Sequence, residues 1–141
     1  MNKSRVKIKG TLATGMGQGA FFTQLDWVRK QCHDKLGFIP YGGTLNIVVA
    51  KNSLKAAAAL KDEEGVNIIA TTPGYCPARA VPVEISGQKA AVILPDAACF
   101  TQNLHGSETL EIIAPVRLKD VLEIQDDDEV TISYTPGGII K

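Results

Sequence analysis

Near the start of the chain, apolar residues alternate with basic ones. Across residues 5–12, Val6, Ile8 and Leu12 are apolar, and Lys7 and Lys9 stand between them. A period of two marks a half-buried strand. After Thr23 the period changes. Leu25, Val28, Cys32 and Leu36 recur at helical spacing, with Asp26, Arg29, Lys30 and Lys35 facing away. That spacing predicts an amphipathic helix, with Thr23 as its N-cap and Gly37 just past its end. Trp27, the only tryptophan, is expected to pack between this helix and the sheet. The Ile- and Val-rich run 44–50 predicts a second strand. Asn52 or Ser53 then caps an alanine-rich helix over Leu54–Lys61.

The second half of the chain is strand-like. Runs 66–71, 78–85 and 89–94 predict three strands, the last two joined as a tight hairpin at Ser86-Gly87. Pro82 makes the first strand of that hairpin an edge or bulged strand, because proline has no N–H to donate. Run 110–114 is a short strand stopped by Pro115, and 116–122 carries one or two helical turns. Residues 129–134 form a last strand after the run Asp126-Asp127-Asp128. The fold class is therefore mainly β with short helices. No strand–helix–strand alternation supports a doubly wound sheet, and six to seven short strands fit a small β-barrel.

Size and charge narrow the function. A chain of 141 residues without internal repeats reads as one domain, 1–141. Fifteen basic residues balance fifteen acidic ones. That balance argues against a chain whose task is to neutralise a nucleic-acid backbone, so no nucleic-acid partner is expected. Cys32, Cys76 and Cys99 are widely spaced and include no Cys-x-x-Cys pair, which disfavours zinc and fits free thiols in a reducing compartment. No run reaches the length of a membrane span or the apolar core of a signal peptide. The expectation is a cytoplasmic protein without a membrane partner. Its oligomeric state is not legible.

Three places carry candidate chemistry. Gly15, Gly17 and Gly19 alternate between the first strand and the first helix. Successive backbone N–H groups there suit a phosphate or another anion, or the segment is a plain connection. It is neither a Walker A loop nor a dinucleotide fingerprint. Second, in Gly43-Thr44-Leu45-Asn46, residues two apart on a strand share a face. Thr44 and Asn46 thus present a hydroxyl and an amide together, fit for a hard cation or for capping a turn. Third, Glu111 heads the apolar run Ile112-Ile113-Ala114; it serves as a base, as a ligand acceptor, or as an ordinary exposed strand residue. Neither His33 nor His105 belongs to a Ser-His-Asp or Cys-His arrangement, and the carboxylates do not cluster.

Taken together, these stretches resemble a known family. The Gly15-Met16-Gly17-Gln18-Gly19-Ala20 loop, the signature Gly37-Phe38-Ile39-Pro40-Tyr41-Gly42-Gly43-Thr44-Leu45-Asn46 and the later Glu111-Ile112-Ile113-Ala114-Pro115 are similar to the CTP-dependent riboflavin kinases. The resemblance spans nearly the whole chain. It implies a cradle-loop barrel related to swapped-hairpin folds, and a reaction in which riboflavin and CTP give FMN and CDP. It further implies that Gly15, Met16, Gly17, Gln18, Gly19 and Ala20 cradle the nucleotide phosphates and that Thr44 and Asn46 hold Mg²⁺. Thr101 and Glu111 would contact the flavin, and Val116, Arg117, Leu118 and Lys119 the cytidine nucleotide. No catalytic base is singled out. The chain departs from the family pattern at Gln18, where glutamate is usual, at Lys119, where arginine is usual, and in the Asp126-Asp127-Asp128 turn. Gln18 and Lys119 motivate a rival reading, a flavin- or nucleotide-binding relative with altered catalysis. A DNA-binding barrel regulator is the second rival, opposed by the zero net charge.

Overall fold

The computed structural model describes residues 5–13, 23–41, 44–73, 77–95 and 109–137. Seven strands, three α-helices and one 3-10 turn (Lys51–Ser53) are found among them: β1 (Val6–Ala13), α1 (Asp26–Leu36), β2 (Leu45–Val49), α2 (Leu54–Lys61), β3 (Val66–Ile68), β4 (Ala78–Ile85), β5 (Gln88–Pro95), β6 (Thr109–Ile113), α3 (Leu118–Val121) and β7 (Glu129–Tyr134). The strands form one antiparallel sheet in the order β3-β4-β5-β6-β2-β1-β7, and β7 pairs back onto β4. Six strands thereby close into a small barrel, and β3 lies outside the ring on β4. Closure leaves fewer free strand edges than an open sheet would.

The strand periodicity sorts side chains onto two sides of the barrel wall. Ile8, Leu12, Leu45, Ile47, Val83, Ile85, Val92, Leu110, Ile112 and Ile132 fill the interior. α2 adds Ala57 and Leu60 to that core, and Leu118 of α3 joins it as well. A second core lies on the outer face, where Val28, Cys32 and Leu36 of α1 pack with Ile68, Ala80, Ala91, Ile93 and Ile113, and Trp27 leans against them. Burying both faces of β4, β5 and β6 explains why their sequences are apolar almost throughout. It also gives Trp27 the packing role its position predicts.

The β4–β5 hairpin turns at Ser86-Gly87, both with positive φ, 49° and 84°, as a two-residue primed turn requires. Gly37 closes α1 in the left-handed region, its N–H bonded to the carbonyls of Cys32 and His33. Pro82 is on a locally free edge. On one side β4 pairs with β5 throughout, and on the other β3 takes Ala78 to Ala80 while β7 takes Glu84 and Ile85. Its missing N–H therefore costs no ladder bond.

Three expectations are corrected. Thr23 is not the N-cap of α1; it is fully buried two residues ahead of Leu25, which takes the cap position. Ser53 stands at the N-cap of α2 without bonding that helix. Its Oγ accepts the backbone N–H of Lys9 at 3.0 Å instead, fastening α2 to β1. The third strand is shorter than 66–71 because the Gln31 side chain ends it. The amide of Gln31 donates to the Ile69 carbonyl at 2.8 Å and accepts the Ile69 N–H at 2.7 Å, in the manner of a neighbouring strand.

Candidate active site

One end of the barrel gathers the C-terminus of β1, the N-terminus of β2, the C-terminus of β6 and the N-terminus of β7. The register makes this so: Ala13 lies opposite Asn46, Asn46 opposite Glu111, and Leu45 opposite Ile112. Ile93 of β5 pairs with Glu111 in turn. A single row on the outer face thus reads Ile93, Glu111, Asn46, Ala13. The glycine-rich segment starts at the residue after the last of these.

Thr44 and Asn46 do share a face, and Glu111 joins them. The Thr44 hydroxyl donates to Glu111 Oε2 at 2.9 Å. That bond spans 67 residues of sequence and ties the start of β2 to β6. Glu111 Oε1 has no hydrogen-bond partner among the described residues. Asn46 is 4% exposed, and its Oδ1 is buried with no hydrogen-bond partner among the described residues. Leaving a buried carbonyl oxygen unpaired costs about 1–3 kcal/mol. Such an atom fits a ligand that arrives with positive charge or a proton.

The segment after β6 completes the mouth. Tyr41 N–H donates to the Ala114 carbonyl at 2.7 Å, extending the β2–β6 pairing past Thr44. A cleft of about 140 Å³ opens beside it, lined by Tyr41, Thr44, Leu45, Arg117, Lys119 and their neighbours. Val116 to Lys119 do not act alike. Leu118 is buried in the barrel core and Val116 packs against it, whereas the side chains of Arg117 and Lys119 are 50% and 35% exposed. Each cation has a carboxylate nearby: Arg117 pairs with Asp120, and Lys119 Nζ lies 3.0 Å from Asp126 Oδ1. Exposed pairs of this kind are worth at most about 1 kcal/mol, so they exchange readily for a ligand anion.

The acidic turn, exposed at Asp126 and Asp127, belongs to this architecture. Asp127 N–H donates to the Leu12 carbonyl at 2.7 Å, and Leu12 N–H donates to Asp128 O at 2.9 Å. The turn is thereby stitched to the end of β1, which brings Asp126 to Lys119. Nothing local in the run of three aspartates signals this, because it depends on β1–β7 pairing.

Of the candidate residues, Thr44, Asn46, Glu111, Val116, Arg117, Leu118 and Lys119 converge on this end of the barrel. Gly15, Met16, Gly17, Gln18, Gly19, Ala20 and Thr101 lie outside the described residues, as do His105, Cys76 and Cys99. His33 is exposed on α1, bonded to Asp34 at 3.2 Å. Cys32 is buried, and burial pushes its thiol up to about 11, so it is an inert core residue.

The family model described as "Domain of unknown function DUF120", labelled CTP-dep_RFKase, matches residues 12–134. The chain belongs to the CTP-dependent riboflavin kinase family. Among its relatives in that family, a protein of Methanocella arvoryzae named riboflavin kinase is 38% identical over 129 residues, 89% of this chain and 56% of its own length. Riboflavin kinases of Pyrobaculum aerophilum and Methanosarcina mazei are 34% and 31% identical, over 93% and 95% of this chain and 61% and 59% of their own lengths. The chain thus spans somewhat under two thirds of these curated relatives. The match to the family takes in the Thr44–Glu111 pair, the buried Asn46 and the Val116–Lys119 segment alike.

Proposed function

We propose that this chain is a riboflavin kinase that uses CTP, transferring its γ-phosphoryl group to riboflavin to give FMN and CDP. The observation that carries the reading is the buried Oδ1 of Asn46, without a hydrogen-bond partner among the described residues, beside the Thr44–Glu111 hydrogen bond. The names of the relatives support the activity, and the family label supports CTP as donor.

Phosphoryl transfer asks the protein for position and charge rather than covalent chemistry. An oxygen of riboflavin's terminal hydroxyl bonds to the γ-phosphorus, the bond from that phosphorus to the β–γ bridging oxygen breaks, and the hydroxyl proton passes to solvent. Glu111, with Oε2 fixed by Thr44, would present Oε1 to a donor on riboflavin. Arg117 and Lys119 would leave their carboxylates and turn toward the nucleotide. The glycine segment that follows Ala13 would supply backbone N–H groups to the phosphates.

The donor set fits Mg²⁺. Among the described residues no group of three His, Cys, Asp or Glu side chains is placed to hold a metal, but Mg²⁺ commonly takes one or two protein oxygens and shares the substrate's phosphates. Thr44 and Asn46 would hold it. Bound there, it would neutralise charge developing on the phosphates. Among the described residues, no helix is long and apolar enough to cross a membrane.

The test is direct. Purified protein is incubated with riboflavin, Mg²⁺ and each of CTP, ATP, GTP and UTP, and FMN is followed by chromatography. FMN formed preferentially from CTP is the expected result. Absence of FMN with every donor overturns the kinase reading, and FMN from ATP alone overturns the choice of nucleotide.

A further inference from the structure

The segment between α1 and β2 is built to display one aromatic ring. Phe38 is 6% exposed and seated in the outer core, and Pro40 is buried as well, while Ile39 and Tyr41 are 45% and 47% exposed. Tyr41 is anchored by its own N–H, which donates to the Ala114 carbonyl at 2.7 Å. The ring therefore borders the cleft from a backbone tied to the residue after β6. An aromatic surface ordered before binding loses little entropy when a ligand stacks on it.

The cleft's company points to its ligand, for Tyr41 stands beside two cations there. Glu111, the residue placed toward riboflavin, does not line it, whereas Arg117 and Lys119 do. Resting on the kinase reading, we infer that Tyr41 is the platform on which the base of the donor nucleotide stacks. Tyr41 is thus a binding residue for the donor and has no part in holding the flavin.

The test compares wild type with Tyr41→Ala and Tyr41→Phe, by calorimetric titration with CTP and Mg²⁺ and by steady-state kinetics. Base–aromatic stacking is worth about 1–3 kcal/mol, so Tyr41→Ala should weaken CTP binding by roughly 5- to 150-fold. It should raise the KM for CTP with the KM for riboflavin unchanged. Tyr41→Phe keeps the ring and should bind CTP within about twofold of wild type. Circular dichroism confirms that each variant is folded. CTP affinity that is equal in folded Tyr41→Ala and wild type overturns the inference and leaves the kinase reading standing. A shift confined to the KM for riboflavin also overturns it, by moving Tyr41 to the flavin side. Loss of affinity in Tyr41→Phe equal to that in Tyr41→Ala overturns stacking in favour of a hydroxyl contact. Wild type that binds no CTP and makes no FMN overturns the kinase reading itself.

Discussion

Replacing Asn46 by leucine should make the free protein more stable and the enzyme worse. Asn46 is 4% exposed, and its Oδ1 lacks a hydrogen-bond partner among the described residues. Removing an unsatisfied buried acceptor relieves about 1–3 kcal/mol, and a leucine of similar size adds apolar burial at the same place. Against this stands some repacking between Glu111 and Ala13, which flank Asn46 on the neighbouring strands, about 1 kcal/mol for a near-isosteric change. The net expectation is a gain of about 1–2 kcal/mol. For 141 residues, the unfolding entropy of about 2.1 cal/mol/K per residue makes each kcal/mol worth about 3 °C in Tm. The assay is differential scanning calorimetry of both proteins, without ligand and then with CTP and Mg²⁺. Ligand raises Tm by mass action only where it binds the folded state. Wild type should rise, and Asn46→Leu should start some 3–6 °C higher and rise much less. A variant that melts below wild type in the absence of ligand would refute the reasoning, because it would mean that Oδ1 already has a partner whose loss is felt. A variant that keeps the full rise with ligand would remove Asn46 from the binding site.

Two further outcomes follow from packing and titration. Gly10→Ala places a Cβ 2.5 Å from the Val48 carbonyl oxygen and 2.6 Å from Ile47 Cγ2, where β1 and β2 meet; backbone cannot yield there, so a loss of at least about 1–3 kcal/mol is expected in urea unfolding. Cys32 has a thiol raised by burial to about 11 from an ordinary 9.0, so its contribution is fully present below pH 9 and is lost as the pH climbs to 11, where the unfolded chain has released a proton that the folded chain keeps. Two pH units correspond to about 3 kcal/mol. Tyr134, raised by burial and then by the charge of Glu63, acts in the same direction, so the fall of Tm above pH 9 should become shallower, but not flat, in Cys32→Ala.

The strands were legible because their signal is local. Residues 129–134 and 78–85 are read correctly from alternation and β-branching alone, and the Ser86-Gly87 hairpin from its turn chemistry. What was not legible depends on partners distant in sequence. Nothing near Thr71 reveals that Gln31 ends β3 at Ile68, and nothing near Ser53 reveals that its hydroxyl serves Lys9 rather than its own helix. The site divides in the same way. Strand period two puts Thr44 and Asn46 on one face, and the structure bears this out. That Glu111 joins them, and that Asp126 meets Lys119, follows from the β2–β6 and β1–β7 registers, which no local pattern encodes. Val116 and Leu118 against Arg117 and Lys119 is a division made by the core, not by the motif.

The sharing of one edge of β4 between β3 and β7 has a mechanical consequence. β7 is stitched to β1 by six residue pairs from Val6 to Thr11, but to β4 by only two, Glu84 with Ser133 and Ile85 with Ile132. The ring is therefore a cuff with a short seam. Arg5 is the clasp across it, its guanidinium bonded to Glu84 on one side and to the Ser133 hydroxyl on the other. The seam is the shortest strand pairing in the ring, and Ile85 and Ile132, both fully buried in the interior core, hold it by packing more than by ladder. The mouth that gathers Thr44, Asn46 and Glu111 is held by β1, β2 and β6, away from that seam. A substitution at the Arg5 clasp therefore loads the ring at a place apart from the geometry on which the chemistry depends.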